Sequence, residues 1–315
     1  MNPGNTPVLG DHGILHPGKL LWLRSLGWMI VLTFAIMLAF GLGIEAISAA
    51  LPSQPAFQFM AKLAGALIVL LAYTALVRLS ERRWPAELAV SAAPVGILSG
   101  LVIGAVQFSA VMAILNGSGA YDFAYLGTAP AWHGAGLAIE SGVVEEILIR
   151  GVVMRLVWRA FGPGAAILAS ALLFGVGHIG NPNATVFTTA CVAIEAGIML
   201  GSFYALTGRL WVSIGVHAGW NFAQGYLFGA NVSGGDFGAA VSSSMPVAGF
   251  PDWLSGGGFG PEASLPSLAV CTIVGAVVLW WASRRANVAM GQPDTRPPTE
   301  SSIATAPHSS RRNQS

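Results

Sequence analysis

Charged side chains are scarce in this sequence, and their scarcity limits what the chain can be. Asp, Glu, Lys and Arg make up 9% of its 315 residues and hydrophobic residues make up 54%, whereas about a quarter of a soluble protein is charged. The mean hydropathy of +0.66 excludes an ordinary water-facing surface and predicts a polytopic membrane protein. A net charge of +1 supplies no basic patch, so we expect no nucleic-acid partner.

Cysteine is also rare. The chain has two cysteines, Cys191 and Cys271, and each lies within an apolar run. Isolated cysteines in apolar surroundings behave as small buried hydrophobic residues. The sequence therefore indicates neither a disulfide framework nor a cysteine-rich metal cluster.

Long apolar runs, by contrast, recur along most of the chain. At about twenty apolar residues per crossing, they predict an all-α transmembrane bundle of about eight helices. The predicted helices are 28–49, 57–77, 90–115, 135–158, 162–179, 184–206, 210–229 and 265–283. They divide the chain into an N-terminal cytoplasmic segment at 1–27, a membrane domain at 28–285 and a disordered cytoplasmic tail at 286–315. We expect the Gly-rich connection at 230–264 to be flexible.

Lys and Arg are distributed unevenly between the loops. If eight helices follow a cytoplasmic N-terminus, 13 of the 15 Lys and Arg residues fall on the cytoplasmic side, as the positive-inside rule requires. The other two lie within predicted helices. Lys62 is near enough to the outer end of its helix to reach water, whereas Arg150 needs a partner. We expect both termini in the cytoplasm and, because no organelle signal is seen, a bacterial plasma membrane.

The fourth predicted helix carries four charged residues where charge is costly. Glu146 and Arg150 are one turn apart in the favourable acid-before-base order, so they can neutralise one another. Glu145 points about 100° away from Glu146 and is left to face another element. Glu140 is nearer the outer surface, and we expect it to be solvated or to cap the helix.

Two histidines and an asparagine lie on later helices. His178 follows Phe174 by one turn in the fifth predicted helix, and His217 and Asn221 are one turn apart in the seventh. A desolvated carboxylate such as Glu145 can act as a general base, and imidazole and amide groups can stabilise an oxyanion. The set suits attack of water on a peptide carbonyl, provided that the two helices are tilted or offset enough for the histidines to meet.

The spacing of these residues resembles that of a known family. The motifs are Glu-Glu-x-x-x-Arg at 145–150, Phe-x-x-x-His at 174–178 and His-x-x-x-Asn at 217–221. In this order on three helices they resemble the CPBP intramembrane endopeptidases, which include the type II CAAX prenyl proteases, and the resemblance covers about 135–229. It implies a peptidase that hydrolyses a peptide bond of a membrane-associated or lipid-modified protein or peptide.

The resemblance also implies roles for the motif residues. Glu145 would activate the water and His178 would help to hold and polarise it. His217 and Asn221 would support the tetrahedral oxyanion.

Three further charged residues lie in these helices. The resemblance implies that Glu146 and Arg150 hold the site in shape. Glu195, in the sixth predicted helix, could line the substrate path. Because Ser202 and Tyr204 are nearby, we expect it to make an interhelical hydrogen bond instead.

Two alternatives stay open. His178, His217 and Glu145 could form a His₂Glu zinc site, although the four polar groups already supply a base and an oxyanion hole, so we favour a site without a cofactor. The intramembrane Glu, His and Arg cluster would also suit a proton-coupled transporter. Transporters more often show inverted repeats or broken helices in corresponding halves, and the sequence shows neither.

Overall fold

The computed structural model describes residues 7–52 and 54–291, and 73% of the structure is helical. The helices are α1 Leu21–Ala50, α2 Pro55–Ser80, α3 Ala93–Gly117, α4 Trp132–Glu146, α5 Arg155–Phe161, α6 Pro163–Gly177, α7 Val186–Val192, α8 Gly201–Thr207, α9 Leu210–Phe222, α10 Asp252–Ser255 and α11 Leu265–Gly291. Three π-helical segments accompany them, π1 Ile147–Met154, π2 Ala193–Leu200 and π3 Ala223–Leu227. Segment π1 joins α4 to α5, π2 joins α7 to α8, and π3 extends α9.

The long helices fall at the positions that hydrophobicity predicts, and the all-α class is confirmed. Five helices are long and apolar enough to cross a membrane, judged by length and composition over the described residues. They are Leu21–Ala50, Pro55–Ser80, Val90–Gly117, Val186–Thr207 and Leu265–Arg285. Helices α6 and α9 are shorter, and the continuous helix from α4 to α5 carries the charged residues of the fourth predicted span. The count of eight crossings therefore stays a prediction.

Local sequence explains where several helices begin and end. Gly162 adopts a φ of +88° between α5 and α6, and Pro163 then occupies the first turn of α6, where a missing N–H costs nothing. Gly208 ends α8 in the left-handed conformation, with a φ of +61°. At the start of α7, Thr185 and Thr188 form a reciprocal capping box.

The closest helix packing joins α3 to α9. Three glycines of α3, Gly96, Gly100 and Gly104, form a smooth ridge at four-residue spacing against α9. A Cβ atom on Gly104 would lie 2.1 Å from the carbonyl oxygen of Val216, which is closer than any real contact. Such small-residue ridges allow membrane helices to approach backbone to backbone, and here the ridge is used within one chain.

The segment after π3 is folded. Strand β1, Tyr121–Tyr125, pairs antiparallel with strand β2, Ser242–Pro246, as the one described exception to the helical class. The amide of Gly234 donates to the carbonyl oxygen of Phe259 at 2.7 Å. The expectation of a flexible connector at 230–264 is therefore wrong, because turns and backbone hydrogen bonds satisfy this segment internally.

A buried ionic cluster ties α2, α5 and the loop after α2 together. Arg155 is fully buried and donates to both oxygens of Glu81, at 2.9 and 2.7 Å. Arg83 donates to Glu81 at 2.7 Å and twice to Glu87 at 2.8 Å. Burial alone would raise the pKa of Glu81, but Arg155 and Arg83 outweigh that effect and lower it. The two acids and two guanidinium groups thus form a charge-balanced unit.

The same end of the molecule collects further arginines. Arg209 donates to the carbonyl oxygen of Ala86, and Arg159 donates to that of Leu15 at 2.6 Å. We call this the basic end, defined by Arg83, Arg155, Arg159 and Arg209. It gathers arginines from three loops or helix ends that the sequence predicts to be cytoplasmic.

Both predicted domain boundaries fall within helices. Helix α1 begins at Leu21, inside the predicted segment 1–27, and α11 continues to Gly291, inside the predicted tail 286–315. A helix can extend past the hydrocarbon core because its backbone hydrogen bonds persist at the interface. The rest of the predicted tail lies outside the described residues.

Candidate active site

Arg150 has the partner that its burial requires. Its side chain is fully buried, and Nη1 donates to Glu146 Oε1 at 2.9 Å within π1. Its Nη2 donates to the carbonyl oxygen of Ala196 and, at 3.3 Å, to that of Gly197 in π2. Arg150 therefore neutralises Glu146 and connects π1 to π2.

Glu145, by contrast, faces both histidines. Its Oε2 lies 4.0 Å from Nε2 of His178 and 4.0 Å from Nε2 of His217. These distances are too long for direct hydrogen bonds and within the reach of one bridging water. Oε2 is buried without a hydrogen-bond partner among the described residues. The structure thus brings together the three groups that the sequence places on three separate helices.

The other ring nitrogen of each histidine is already occupied. His217 Nδ1 lies 3.1 Å from Glu146 Oε1, and His178 Nδ1 lies 2.8 Å from the carbonyl oxygen of Phe174. Because both partners are acceptors, each Nδ1 carries the proton and donates. Both Nε2 atoms are consequently left facing Glu145.

The ring of Phe174 packs against both histidines and Arg150. Its ring stacks on His178 at 4.9 Å between centroids and meets His217 edge to face at 6.0 Å. The guanidinium of Arg150 lies 4.8 Å from the centre of the same ring. The aromatic side chain therefore separates the ion pair from the pocket and fixes the planes of both imidazoles.

The carboxamide of Asn221 belongs to the same pocket. Its Nδ2 donates to the hydroxyl of Ser141 at 3.0 Å, which leaves the second N–H of the amide available. Sequence reasoning missed Ser141. The signal was its position one helical turn before Glu145, which places both on one face of α4.

These residues line a small pocket with a cavity volume of about 60 Å³. Glu145, His178, His217 and Asn221 share its wall. Three further polar residues complete the lining, namely Glu195 from π2, Ser233 from the segment after π3, and Glu262 from the turn before α11. Sequence reasoning did not identify Ser233 or Glu262, because a segment expected to be flexible gives no reason to place its side chains.

Glu195 does not make the interhelical hydrogen bond expected of it. Ser202 donates to the carbonyl oxygen of Met199 at 2.6 Å, and the hydroxyl of Tyr204 is buried without a partner. Oε1 of Glu195 also lacks a partner among the described residues. That expectation is wrong because the π-helical turn carries Glu195 to the pocket instead of to these two residues.

Glu140 also differs from expectation. It is buried, and Oε2 accepts a hydrogen bond from Lys62 Nζ at 2.6 Å. Lys62 therefore satisfies its charge with a partner on α4 instead of reaching water alone. The two helices bring opposite charges together where each would otherwise be costly.

The candidate zinc ligands are His178, His217 and Glu145. Among residues 7–52 and 54–291, no group of three or more His, Cys, Asp or Glu side chains is arranged to hold a metal ion. The carboxylate of Glu145 and the two imidazoles are separated by 4.0 Å on each side. No step of the chemistry below is assigned to a metal.

Comparison with protein families decides the assignment of this segment. Residues 127–223 match the family described as "Type II CAAX prenyl endopeptidase Rce1-like". This segment is Rce1-like. The resemblance indicated by the three motifs is thereby confirmed. Comparisons with curated proteins and with solved structures give no match.

The Rce1-like segment contains α4, α5, α6, the helix from α7 to α8, and α9 as far as Phe222. The matched family implies a protease, and the apolar helices around the segment fit an integral membrane protein. An intramembrane endopeptidase is thus supported in general terms, and members of this family act on membrane-associated proteins.

The Rce1-like helices meet despite unequal lengths. His178 lies 15 residues after Pro163 at the start of α6, whereas His217 lies 7 residues after Leu210 at the start of α9. At about 1.5 Å per residue these paths are about 22 Å and about 10 Å long. Because both histidines reach Glu145, α6 begins further toward the basic end than α9 or is inclined to it, as the functional prediction requires.

Proposed function

We propose that this protein is an intramembrane endopeptidase that hydrolyses a peptide bond in a membrane-associated protein or peptide, without a metal. The observation that carries the proposal is the placement of Glu145 at 4.0 Å from both histidines, in the pocket that they share with Asn221. A water held among these three groups has a base beside it.

The first step is attack of this water on the peptide carbonyl. Glu145 accepts one proton of the water while the oxygen bonds to the carbonyl carbon. His178 orients the water through Nε2, and its ring is held by the carbonyl oxygen of Phe174 at Nδ1. The product of this step is a tetrahedral oxyanion.

Two donors stabilise this oxyanion. The free N–H of Asn221 is one, because Ser141 uses only the other N–H. A protonated His217 is the second, donating through Nε2 while its Nδ1–H remains on Glu146. The oxyanion then collapses to a carboxylic acid as the peptide C–N bond breaks, and Glu145 passes its proton to the leaving nitrogen to give the amine product.

The basic end gives the protein its orientation in this proposal. Arginine-rich ends remain in the cytoplasm, so both termini face the cytoplasm. The membrane in this proposal is a bacterial plasma membrane. The pocket lies at the opposite ends of the helices, since His178 follows α6 and Glu262 precedes α11. We therefore propose that the pocket opens toward the outer side.

Glu145→Gln provides the central test. The amide is isosteric but cannot accept the proton, so we expect cleavage of a membrane-anchored fluorogenic peptide by the purified protein in lipid nanodiscs to be lost. Glu45→Gln, an exposed acid on α1, is the matched control and should retain full activity. If Glu145→Gln keeps wild-type cleavage, the proposal is refuted. If no cleavage is seen but proton flux into vesicles requires Glu145, the transporter function replaces it.

A chelator tests the metal-free part of the proposal. We expect cleavage to persist after dialysis against 1,10-phenanthroline, with metal content measured by mass spectrometry. Loss of cleavage that is restored by added zinc would instead assign the His₂Glu set as metal ligands.

A further inference from the structure

Two buried acids extend the pocket beyond the residues that the proposed hydrolysis uses. Glu195 in π2 is 4% exposed and Glu262 before α11 is 6% exposed, and both line the same pocket as Glu145. They reach it from elements far apart in sequence. π-Helical turns frequently occur at functional sites, and Glu195 lies in one.

Glu195 has no partner that would explain its burial. Oε1 makes no hydrogen bond within the described residues, and no Lys or Arg pairs with its carboxylate there. Glu262 accepts a hydrogen bond from the hydroxyl of Ser233 at 2.6 Å, but a hydroxyl does not neutralise a charge. Burial raises the pKa of Glu262.

The charge of the pocket is unbalanced. Its described lining contains three carboxylates and two imidazoles, and no Lys or Arg. The nearest guanidinium, that of Arg150, is bound to Glu146 and stacked on Phe174. Buried acids without counter-ions are costly in a membrane protein and mark sites of function. A cation that entered with the substrate would relieve this cost.

We propose that Glu195 and Glu262 form a subsite that binds a basic side chain, Arg or Lys, of the substrate beside the bond to be cleaved. The role of this subsite in substrate choice rests on the proposed hydrolysis, whereas the position of the two acids in the pocket does not. A guanidinium or ammonium group would donate hydrogen bonds to the unpartnered Oε1 of Glu195 and to the carboxylate of Glu262. Substrate choice would then depend on charge as well as on membrane attachment.

The first experiment measures binding without cleavage. The full-length protein in nanodiscs is titrated with butylguanidinium, which mimics an arginine side chain, and with its neutral isostere butylurea, by ligand-observed NMR. We expect butylguanidinium to bind at least about tenfold more tightly, which corresponds to about 1.4 kcal/mol. Glu195→Gln and Glu262→Gln should each reduce this preference severalfold, while Glu45→Gln should leave it unchanged.

The second experiment measures cleavage. Membrane-anchored peptides that differ only by Arg or norleucine are compared at each position flanking the cleaved bond, and the ratio of their kcat/KM values is the readout. We expect a ratio of at least about ten at one position, and a ratio near one in Glu195→Gln. Thermal melting of each variant establishes that it is folded. The ratio of kcat/KM values measured on the wild-type protein tests the subsite without any variant.

The results separate the two proposals. Equal binding of the two probes, or a preference that survives both glutamine variants, would overturn the subsite. Selective binding of butylguanidinium without cleavage of any peptide would support the subsite and refute the hydrolysis. Equal kcat/KM values for the Arg and norleucine peptides, together with equal binding of the two probes, would support the hydrolysis and refute the subsite.

Discussion

Replacing Arg150 by Met tests the buried ion pair most directly. The substitution keeps much of the side-chain volume and removes the guanidinium that pairs with Glu146, which is itself fully buried. It also removes the donor to the carbonyl oxygens of Ala196 and Gly197, which link π1 to π2. The variant therefore leaves a buried carboxylate without a counter-ion.

The size of the effect follows from this geometry. Breaking a buried ion pair by removing one partner costs about 3–5 kcal/mol, compared with a total stability of about 5–15 kcal/mol for a typical domain. Removing both charges should cost much less, because the desolvation penalty disappears along with the attraction. The double variant Glu146→Gln/Arg150→Met should therefore recover most of the lost stability. The glutamine retains an oxygen that His217 Nδ1 can donate to.

Unfolding by SDS in mixed micelles measures these free energies, with the yield of monodisperse protein after detergent extraction as a second readout. Arg284→Met is the matched control, because Arg284 is exposed on α11, and we expect it to change stability by less than about 0.5 kcal/mol. A single Arg150→Met variant as stable as the wild type would refute the reasoning. So would a double variant less stable than the single one, since the charge would then not be the source of the cost.

Three further predictions follow from the geometry. Asn221→Ala should lower kcat by about 10²–10³-fold in single-turnover assays, with a smaller change in KM, because an oxyanion donor acts mainly in the transition state. A rise in KM of that size with an unchanged kcat would contradict this role. Gly104→Ala should destabilise the protein by about 1–3 kcal/mol in SDS unfolding, since its Cβ would meet a backbone oxygen of α9 at 2.1 Å, whereas Gly117→Ala, with open space around it, should not. The pKa of Glu81 is lower in the fold than in the unfolded chain because Arg155 outweighs the effect of burial. The ionised Glu81 therefore stabilises the fold above the ordinary carboxyl pKa, and this stabilisation is lost as the pH falls. Melting measured from about pH 7 to about pH 3 should show a weaker acid dependence in Glu81→Gln, and an unchanged slope would remove Glu81 as the cause.

The sequence was sufficient to predict the motif residues and their meeting point. Charges are so rare in apolar helices that Glu145, His178 and His217 stood out, and the one-turn spacing of Glu146 and Arg150 predicted their ion pair. Helix positions followed from the same apolar runs. In a membrane protein, the cost of polar groups makes each one informative.

Residues outside the motifs were harder to predict. Glu262 and Ser233 lie in a segment whose composition suggests flexibility. Their position in the pocket depends on tertiary packing, and the segment has no hydrophobic periodicity from which it could be predicted. Glu81, Glu87 and Arg155 carry no motif, yet they form a buried cluster. Sequence spacing gives neighbours on one helix, but pairs across helices depend on how the helices pack.

The buried and half-buried acids of the described chain fall into two groups that differ in their partners. One group has Lys or Arg partners, and its members are Glu81, Glu87, Glu140 and Glu146. The other group has no such partner, and its members are Glu145, Glu195 and Glu262. The first group connects helices, whereas the second lies entirely around one pocket. Since an uncompensated acid in a membrane protein destabilises the fold, its retention there requires a chemical use. We propose proton transfer from water as the use of Glu145, and binding of a substrate cation as the use of the other two.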